Sequence, residues 1–187
     1  MKFVQPIKDD EVVEGIKDHL RIQSVRNYLL FCMGIYSGLR VSDLLNLRVG
    51  MVRNKTHVMV REQKNNKNKK FILHPSYREV LDIYIASMND DEYLFASRQQ
   101  KTKSRIRGKP IHRTTAYKML NKAADRFGLT EVGCHTMRKT WGYRLYAQNP
   151  ANLAFLMEMF NHSKQTTTLR YLGLTQDAMD RAILNLS

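Results

Sequence analysis

The stretch 24–37, SVRNYLLFCMGIYS, is apolar nearly all the way round a helical wheel. Val25, Tyr28, Leu29, Leu30, Phe31, Met33, Ile35 and Tyr36 cannot share one face of a helix, so other elements must surround this one. It is the buried centre of a domain. Ser24 is suited to the N-cap and Gly38 to the residue that ends the helix. Arg40 therefore emerges at a turn anchored on a rigid core helix. Asp43-Leu44-Leu45-Asn46-Leu47 then starts a second helix.

The rest of the chain supplies amphipathic partners. Residues 6–21 place Val12, Val13, Ile16 and Leu20 at helical spacing behind Asp9-Asp10-Glu11. Three adjacent carboxylates could suggest a metal, but acids in a first turn are better read as capping, favoured by the helix dipole. From Met51 the period changes. His57-Val58-Met59-Val60-Arg61 alternates at period two, and Phe71-Ile72-Leu73 answers it across the turn-forming Asn65-Asn66-Lys67-Asn68. This predicts a small antiparallel sheet whose hairpin tip carries Lys64, Lys67, Lys69 and Lys70. Further helices are predicted over 76–88, 114–127 (stopped by Gly128), 135–148 (broken by Pro150) and 151–160. A last turn leads from Thr166-Thr167-Thr168 to Tyr171. The tail 175–186 has Ala178, Met179, Ala182, Ile183 and Leu186 on one stripe, which needs a partner surface. The fold class expected is mainly α with a small antiparallel β-sheet, in one domain.

Charge narrows the partner. There are 31 basic against 17 acidic residues, a net charge of +14. That excess favours a polyanion, and with no basic amphipathic helix in view, nucleic acid is favoured over a membrane surface. The segment 97–113 holds Arg98, Lys101, Lys103, Arg105, Arg107, Lys109 and Arg113 without one acid, and reads as a loop that meets phosphates. An apolar run of about 18 residues, enough for a membrane span, is absent, and the first residues lack the apolar core of a secretory signal. Cys32 and Cys134 have no C-x-x-C spacing and read as reduced thiols of a cytoplasmic protein. No H-E-x-x-H, zinc spacing or carboxylate constellation is present, so neither a metal nor another cofactor is expected.

The chemistry concentrates in three short stretches. Residues 161–171, NHSKQTTTLRY, hold His162 and Tyr171. His135-Thr136-Met137-Arg138 puts a histidine and an arginine three apart, on one helical face. Ser37-Gly38-Leu39-Arg40 adds a second arginine. An arginine offers a rigid fork of donors to phosphate oxygens. A tyrosine can act as a covalent nucleophile once its phenol loses its proton. Each residue taken singly has an ordinary structural reading: a core tyrosine, a capping histidine, a solvated arginine. Together they can hold a phosphodiester and attack it.

These residues resemble the catalytic domain of tyrosine recombinases, the phage-integrase family that includes the Xer resolvases. The family's first arginine lies in a pattern like G-L-R-x-S-E-L, here Gly38-Leu39-Arg40-Val41-Ser42-Asp43-Leu44. Its lysine lies at a hairpin tip before an apolar strand, here Lys64-Asn65-Asn66-Lys67-Asn68-Lys69 before Phe71-Ile72-Leu73. Its H-x-x-R is His135 to Arg138. Its L-G-H-S is Phe160-Asn161-His162-Ser163, and Tyr171 follows that histidine by nine positions, as the family's tyrosine does. Two departures are conservative. Asp43 keeps the charge of the usual glutamate, as a supporting acid beside the arginines. Asn161 tolerates positive φ and can replace glycine.

The resemblance implies roles. Arg40 and Arg138 clamp the non-bridging oxygens of a DNA phosphate, and His162 adds a hydrogen bond. His135 is the base, Lys64 the acid for the leaving 5′ oxygen, and Tyr171 the nucleophile that forms a 3′-phosphotyrosyl bond. Lys67, Lys69, Lys101, Lys103, Arg105 and Arg107 are expected to contact DNA. Double-stranded DNA and other protomers in a tetrameric synapse are the expected partners. Residues 1–174 would be the catalytic domain and 175–187 a tail helix exchanged between protomers, without the N-terminal helical domain that closes full-length members around DNA. Two rivals share this fold or chemistry: a non-enzymatic DNA-binding accessory protein, and a type IB topoisomerase-like enzyme. A metal-dependent nuclease fits poorly.

Overall fold

The structure, a computed structural model, describes residues 4–62, 67–97, 108–175 and 183–184. Its centre is α2 (Val25–Ser37), on which Leu29, Leu30, Phe31, Cys32, Met33 and Ile35 are at most 2% exposed. Each such apolar side chain contributes about 1.5–3 kcal/mol by leaving water, so this helix is the main organiser of the domain. Helices α1 (Asp10–Gln23), α5 (Pro75–Ile85) and α7 (Thr136–Gln148) pack against it. The acids before α1 do cap: Asp9 accepts from the amides of Glu11 and Val12.

Helix α2 stops at Gly38, whose φ of 64° is left-handed. A Cβ there would stand 2.3 Å from the Trp141 ring, so backbone conformation and close packing both demand glycine. Arg40 then caps the short α3 (Val41–Leu45), and Leu47 leads into a second short helix, α4 (Val49–Val52). Helix α4 is not foreseen from the sequence because four residues are too few to display a period.

Strands β1 (His57–Arg61) and β2 (Asn68–Ile72) pair antiparallel, from His57 opposite Ile72 to Arg61 opposite Asn68. Val58, Val60 and Phe71 face the core. Beyond them, Tyr93–Phe95 forms no strand of its own; Tyr93 makes a single bridge to Arg48. The basic segment is pinned at both ends, where Ser97 N–H donates to the Lys109 carbonyl and Ile111 N–H to that of Phe95. Helix α6 (Arg113–Asp125) follows with His112 as its N-cap; His74 does the same for α5.

After α7 a 3₁₀ turn (Pro150–Asn152) leads into α8 (Leu153–Phe160), and α9 (Gln165–Tyr171) ends on the tyrosine. Two apolar clusters result. The larger surrounds α2; the smaller gathers Trp141, Leu156, Phe160, Leu172 and Leu174. Helix α7 joins them, since Met137 belongs to the first and Trp141 to the second. Arg138 lies between these two residues. Of the tail stripe, only Ile183 is described, and it is exposed; Ala178, Met179, Ala182 and Leu186 fall outside the described residues.

Candidate active site

Arg138 is only 3% exposed. Its guanidinium donates to the carbonyl of Gly38, where α2 ends, and at 3.0 Å to that of Met159, near the end of α8. Both acceptors belong to helix C-termini, where the backbone carries partial negative charge. The same guanidinium lies 4.9 Å from the Phe160 ring centroid. Two helix ends and an aromatic face thus fix Arg138. Burial lowers the Arg138 pKa, and Asp43, 2% exposed in α3, opposes that with its negative charge.

Arg40 reaches the same place from the start of α3. Its Nη1 lies 2.5 Å from Glu62 Oε1, and Arg138 Nη1 lies 3.6 Å from that oxygen. Glu62 is 1% exposed. It is not among the residues singled out from the sequence, although the signal is there: Glu62 continues the inward phase of Val58 and Val60, where another apolar residue belongs. Lys69 shares the inward phase of β2 with Phe71. Its ammonium donates to the Met159 carbonyl, and burial, then Arg138 and Arg40, hold its pKa below the ordinary lysine value against the pull of Glu62. Lys67 reaches Asn161 Oδ1 at 2.6 Å. Asn161 has φ 61° at the end of α8, so it occupies a glycine-like position as its residue type allows.

The nucleophile candidate sits beside these cations. Tyr171 Oη lies 3.2 Å from His135 Nδ1, with the two rings nearly perpendicular. Burial pushes the phenol pKa up, while Arg138 and Arg40 pull it down. His135, the N-cap residue of α7, is held below the usual histidine range by desolvation and by the cations Arg113, Arg138, Arg40 and Lys139. The shift favours its neutral form, which can accept a proton. His162 follows Asn161, meets Thr168 Oγ1 at 3.0 Å, and has its ring 5.5 Å from that of Tyr171. Burial and Arg138 lower its pKa as well. Lys139 packs its ammonium 4.9 Å from the Tyr171 ring centroid.

Arg40, His135, Arg138, His162 and Tyr171 therefore converge from three stretches of the chain, 37–40, 135–138 and 161–171. Lys64, Lys101, Lys103, Arg105 and Arg107 lie outside the described residues.

A family model described as the phage integrase family matches residues 7–177. The chain belongs to that family. A family relative, the probable integrase/recombinase YoeC of Bacillus subtilis (strain 168), is 40% identical over 177 residues, covering 95% of this chain and 93% of its own. Among solved structures, XerA recombinase superposes with a TM-score of 0.71 at 22% identity, over 95% of this chain and 64% of that one. XerH site-specific recombinase, in a post-cleavage complex with palindromic difH substrate, gives 0.72 at 18% identity, over 97% and 53%. These likenesses establish the phage integrase catalytic fold, mostly helical with a two-stranded antiparallel sheet. They also show that this chain spans about half to two thirds of the length of those two proteins.

Proposed function

We propose that this chain catalyses site-specific DNA recombination through a phosphotyrosyl intermediate on Tyr171. The observation that carries the reading is the 3.2 Å contact between the Tyr171 hydroxyl and His135, beside two arginines. Attack on a DNA phosphodiester adds negative charge at phosphorus. Arg40 and Arg138 are suited to stabilise it at the non-bridging oxygens, with His162 adding a donor. The Tyr171 oxygen bonds to phosphorus as the bond to the 5′ oxygen breaks. His135 takes the phenol proton, and Lys64 gives one to the departing oxygen, leaving a free 5′-hydroxyl. A 5′-hydroxyl of another strand reverses these steps and joins the new strand. The covalent link keeps the bond energy, so no external energy source is needed.

The net charge of +14 supports double-stranded DNA as the partner. Relatives named recombinase and integrase support the class. Strand exchange needs several protomers on paired sites, a tetramer in this reading, with the 175–187 tail of one protomer docked on the next. A groove of about 930 Å³, in which Tyr36, Phe71, Trp141 and Phe155 lie among Lys8, Asp10, Lys70 and Arg144, is the candidate to receive its stripe. The reading as a single catalytic unit over residues 1–174 rests on the continuous packing of α1 to α9. A location in the cytoplasm follows from the presence of DNA there.

Covalent capture from a library of nicked random duplexes tests the reading with no target sequence assumed. One enriched sequence, exchanged between two duplexes that carry it, is the expected result. Relaxation of any supercoiled plasmid without enrichment would assign the chain to the topoisomerase class instead.

A further inference from the structure

Two arginines and a lysine from three segments meet in one partly buried place, and repulsion among them must be offset while DNA is absent. Asp43 contributes to Arg138, and the acid that ion-pairs with both arginines is Glu62. Its Oε1 stands 2.5 Å from Arg40 Nη1 and 3.6 Å from Arg138 Nη1, with the side chain 1% exposed. Lys69 also feels its charge. Arg138 has two carbonyl partners besides, whereas the described hydrogen bond of the Arg40 guanidinium goes to Glu62. The backbone of Glu62 is fixed as well: its N–H donates to the Lys67 carbonyl at 2.9 Å, closing the base of the hairpin. One carboxylate thus ties the arginine pair to the hairpin.

We propose that Glu62 is the positioning residue of the arginine pair: it occupies the anion-binding edge of Arg40 until a phosphate takes or shares that edge, and so sets both the geometry of the clamp and its affinity for anions. The inference rests on the recombinase reading for its catalytic half only. A phosphate that reaches Arg40 must displace the carboxylate or lie beside it. Either way the resident charge weakens ground-state binding of the anion. The same carboxylate holds Arg40 and Arg138 about one oxygen, so their forks are aligned before substrate arrives. A misplacement of about 1 Å in such a pair can cost on the order of a hundredfold in rate.

The test uses inorganic sulfate as the probe, read by calorimetry and by thermal shift, because it needs no reaction. Glu62→Gln removes the charge and keeps the shape. It is expected to bind sulfate about tenfold tighter, the effect of one lost unit of competing charge interaction. In an Arg40→Ala background the same substitution should tighten sulfate much less, since only Arg138 and Lys69 remain near that carboxylate, which assigns most of the gain to the Arg40 edge. Glu62→Asp keeps the charge at shorter reach; its sulfate affinity should stay near wild type. On a captured DNA site at saturation, both variants should slow first-order cleavage about tenfold or more through misalignment. A scaffold role alone would lower the melting temperature of Glu62→Gln without tightening sulfate, and that outcome overturns the proposal. Near wild-type cleavage by both variants would overturn it too. Failure of wild type to cleave any DNA would sink the recombinase reading instead, and the sulfate comparison would still decide whether Glu62 holds the clamp.

Discussion

His135 and Tyr171, thirty-six residues apart in sequence, meet at 3.2 Å through Nδ1 and the phenol oxygen. Helix α7 begins at the first and α9 ends at the second. The chain between them folds back so that the base candidate faces the proton it would take. Burial raises the Tyr171 pKa, so the phenol keeps its proton without a base. The pairing has a chemical use only if His135 is neutral, and the direction of its pKa shift favours that form.

A pH profile follows from that sign. Cleavage by preformed complexes should be flat from pH 7 to 8 and fall on acidification, with a midpoint below the ordinary histidine value of 6.5. His135→Gln should remove the acid limb along with most of the rate. Stability has the same direction. His74, His135 and His162 all have folded pKa values below their unfolded value of 6.5, so the unfolded chain binds more protons on acidification. Their contribution is full above that value and lost as pH falls through the folded pKa values. Urea titrations between pH 5 and 8 check it, and a midpoint that rises on acidification would contradict it.

Arg138 sits in the proposed site and in the packed interior at once. Its guanidinium bonds the Gly38 and Met159 carbonyls in the interior, so Arg138→Ala removes a donor from each and leaves Met159 with Lys69. A loss of about 3–5 kcal/mol is expected, the usual cost of removing one member of a buried charged network, together with at least about a hundredfold in cleavage. Arg138→Lys keeps the charge but cannot span both carbonyls. It should recover part of the stability and little of the rate, as denaturant titration and single-turnover cleavage would reveal.

Much of this is legible in the sequence. Helix α2 announces itself because no single face can hold its apolar residues. The αL position of Asn161 follows from its residue type. The convergence of Arg40, Arg138, His135, His162 and Tyr171 is implied by motif order. Glu62 escapes notice because an acid in a strand is ordinarily read as solvent-facing, although its phase with Val58 and Val60 points inward. Lys69 groups with the hairpin tip by its charge, while its phase with Phe71 turns it toward Met159. In both cases the period of two carries the information and residue type obscures it. Helix α4 and the histidine caps of α5 and α6 depend on a single turn or contact, which periodicity cannot register.

Gly38 tests how closely the site depends on the core. Its Cβ-free position against Trp141 and its φ of 64° both exclude a side chain. Gly38→Ala should cost about 1–3 kcal/mol from strain at that φ, with overpacking added. It should also slow cleavage, because the Gly38 carbonyl that fixes Arg138 must shift. Unaltered cleavage in a destabilised variant would show that Met159, Phe160 and Glu62 hold the arginine without the Gly38 carbonyl.

DNA affinity should be steep in salt. Each phosphate neutralised contributes about −0.9 to the slope of log K against log salt. Replacing Lys101, Lys103, Arg105 and Arg107 together should flatten that slope by about 3.6 if each contacts one phosphate. The anchors of this segment, Ser97 to Lys109 and Phe95 to Ile111, are untouched by the change, so the fold should survive. Fluorescence anisotropy of a short duplex across a salt series measures it, and an unchanged slope would remove the segment from the DNA surface.

Whether Tyr171 attacks DNA is decided by peptide mass mapping of the covalent adduct formed on a nicked duplex that carries the captured site, with EDTA present. The expected product is a 3′-phosphate adduct on the peptide containing Tyr171, formed equally well in EDTA and abolished in Tyr171→Phe while binding persists. An adduct on Tyr143 or Tyr146, or one that Tyr171→Phe still forms, would contradict the assignment of Tyr171 as nucleophile.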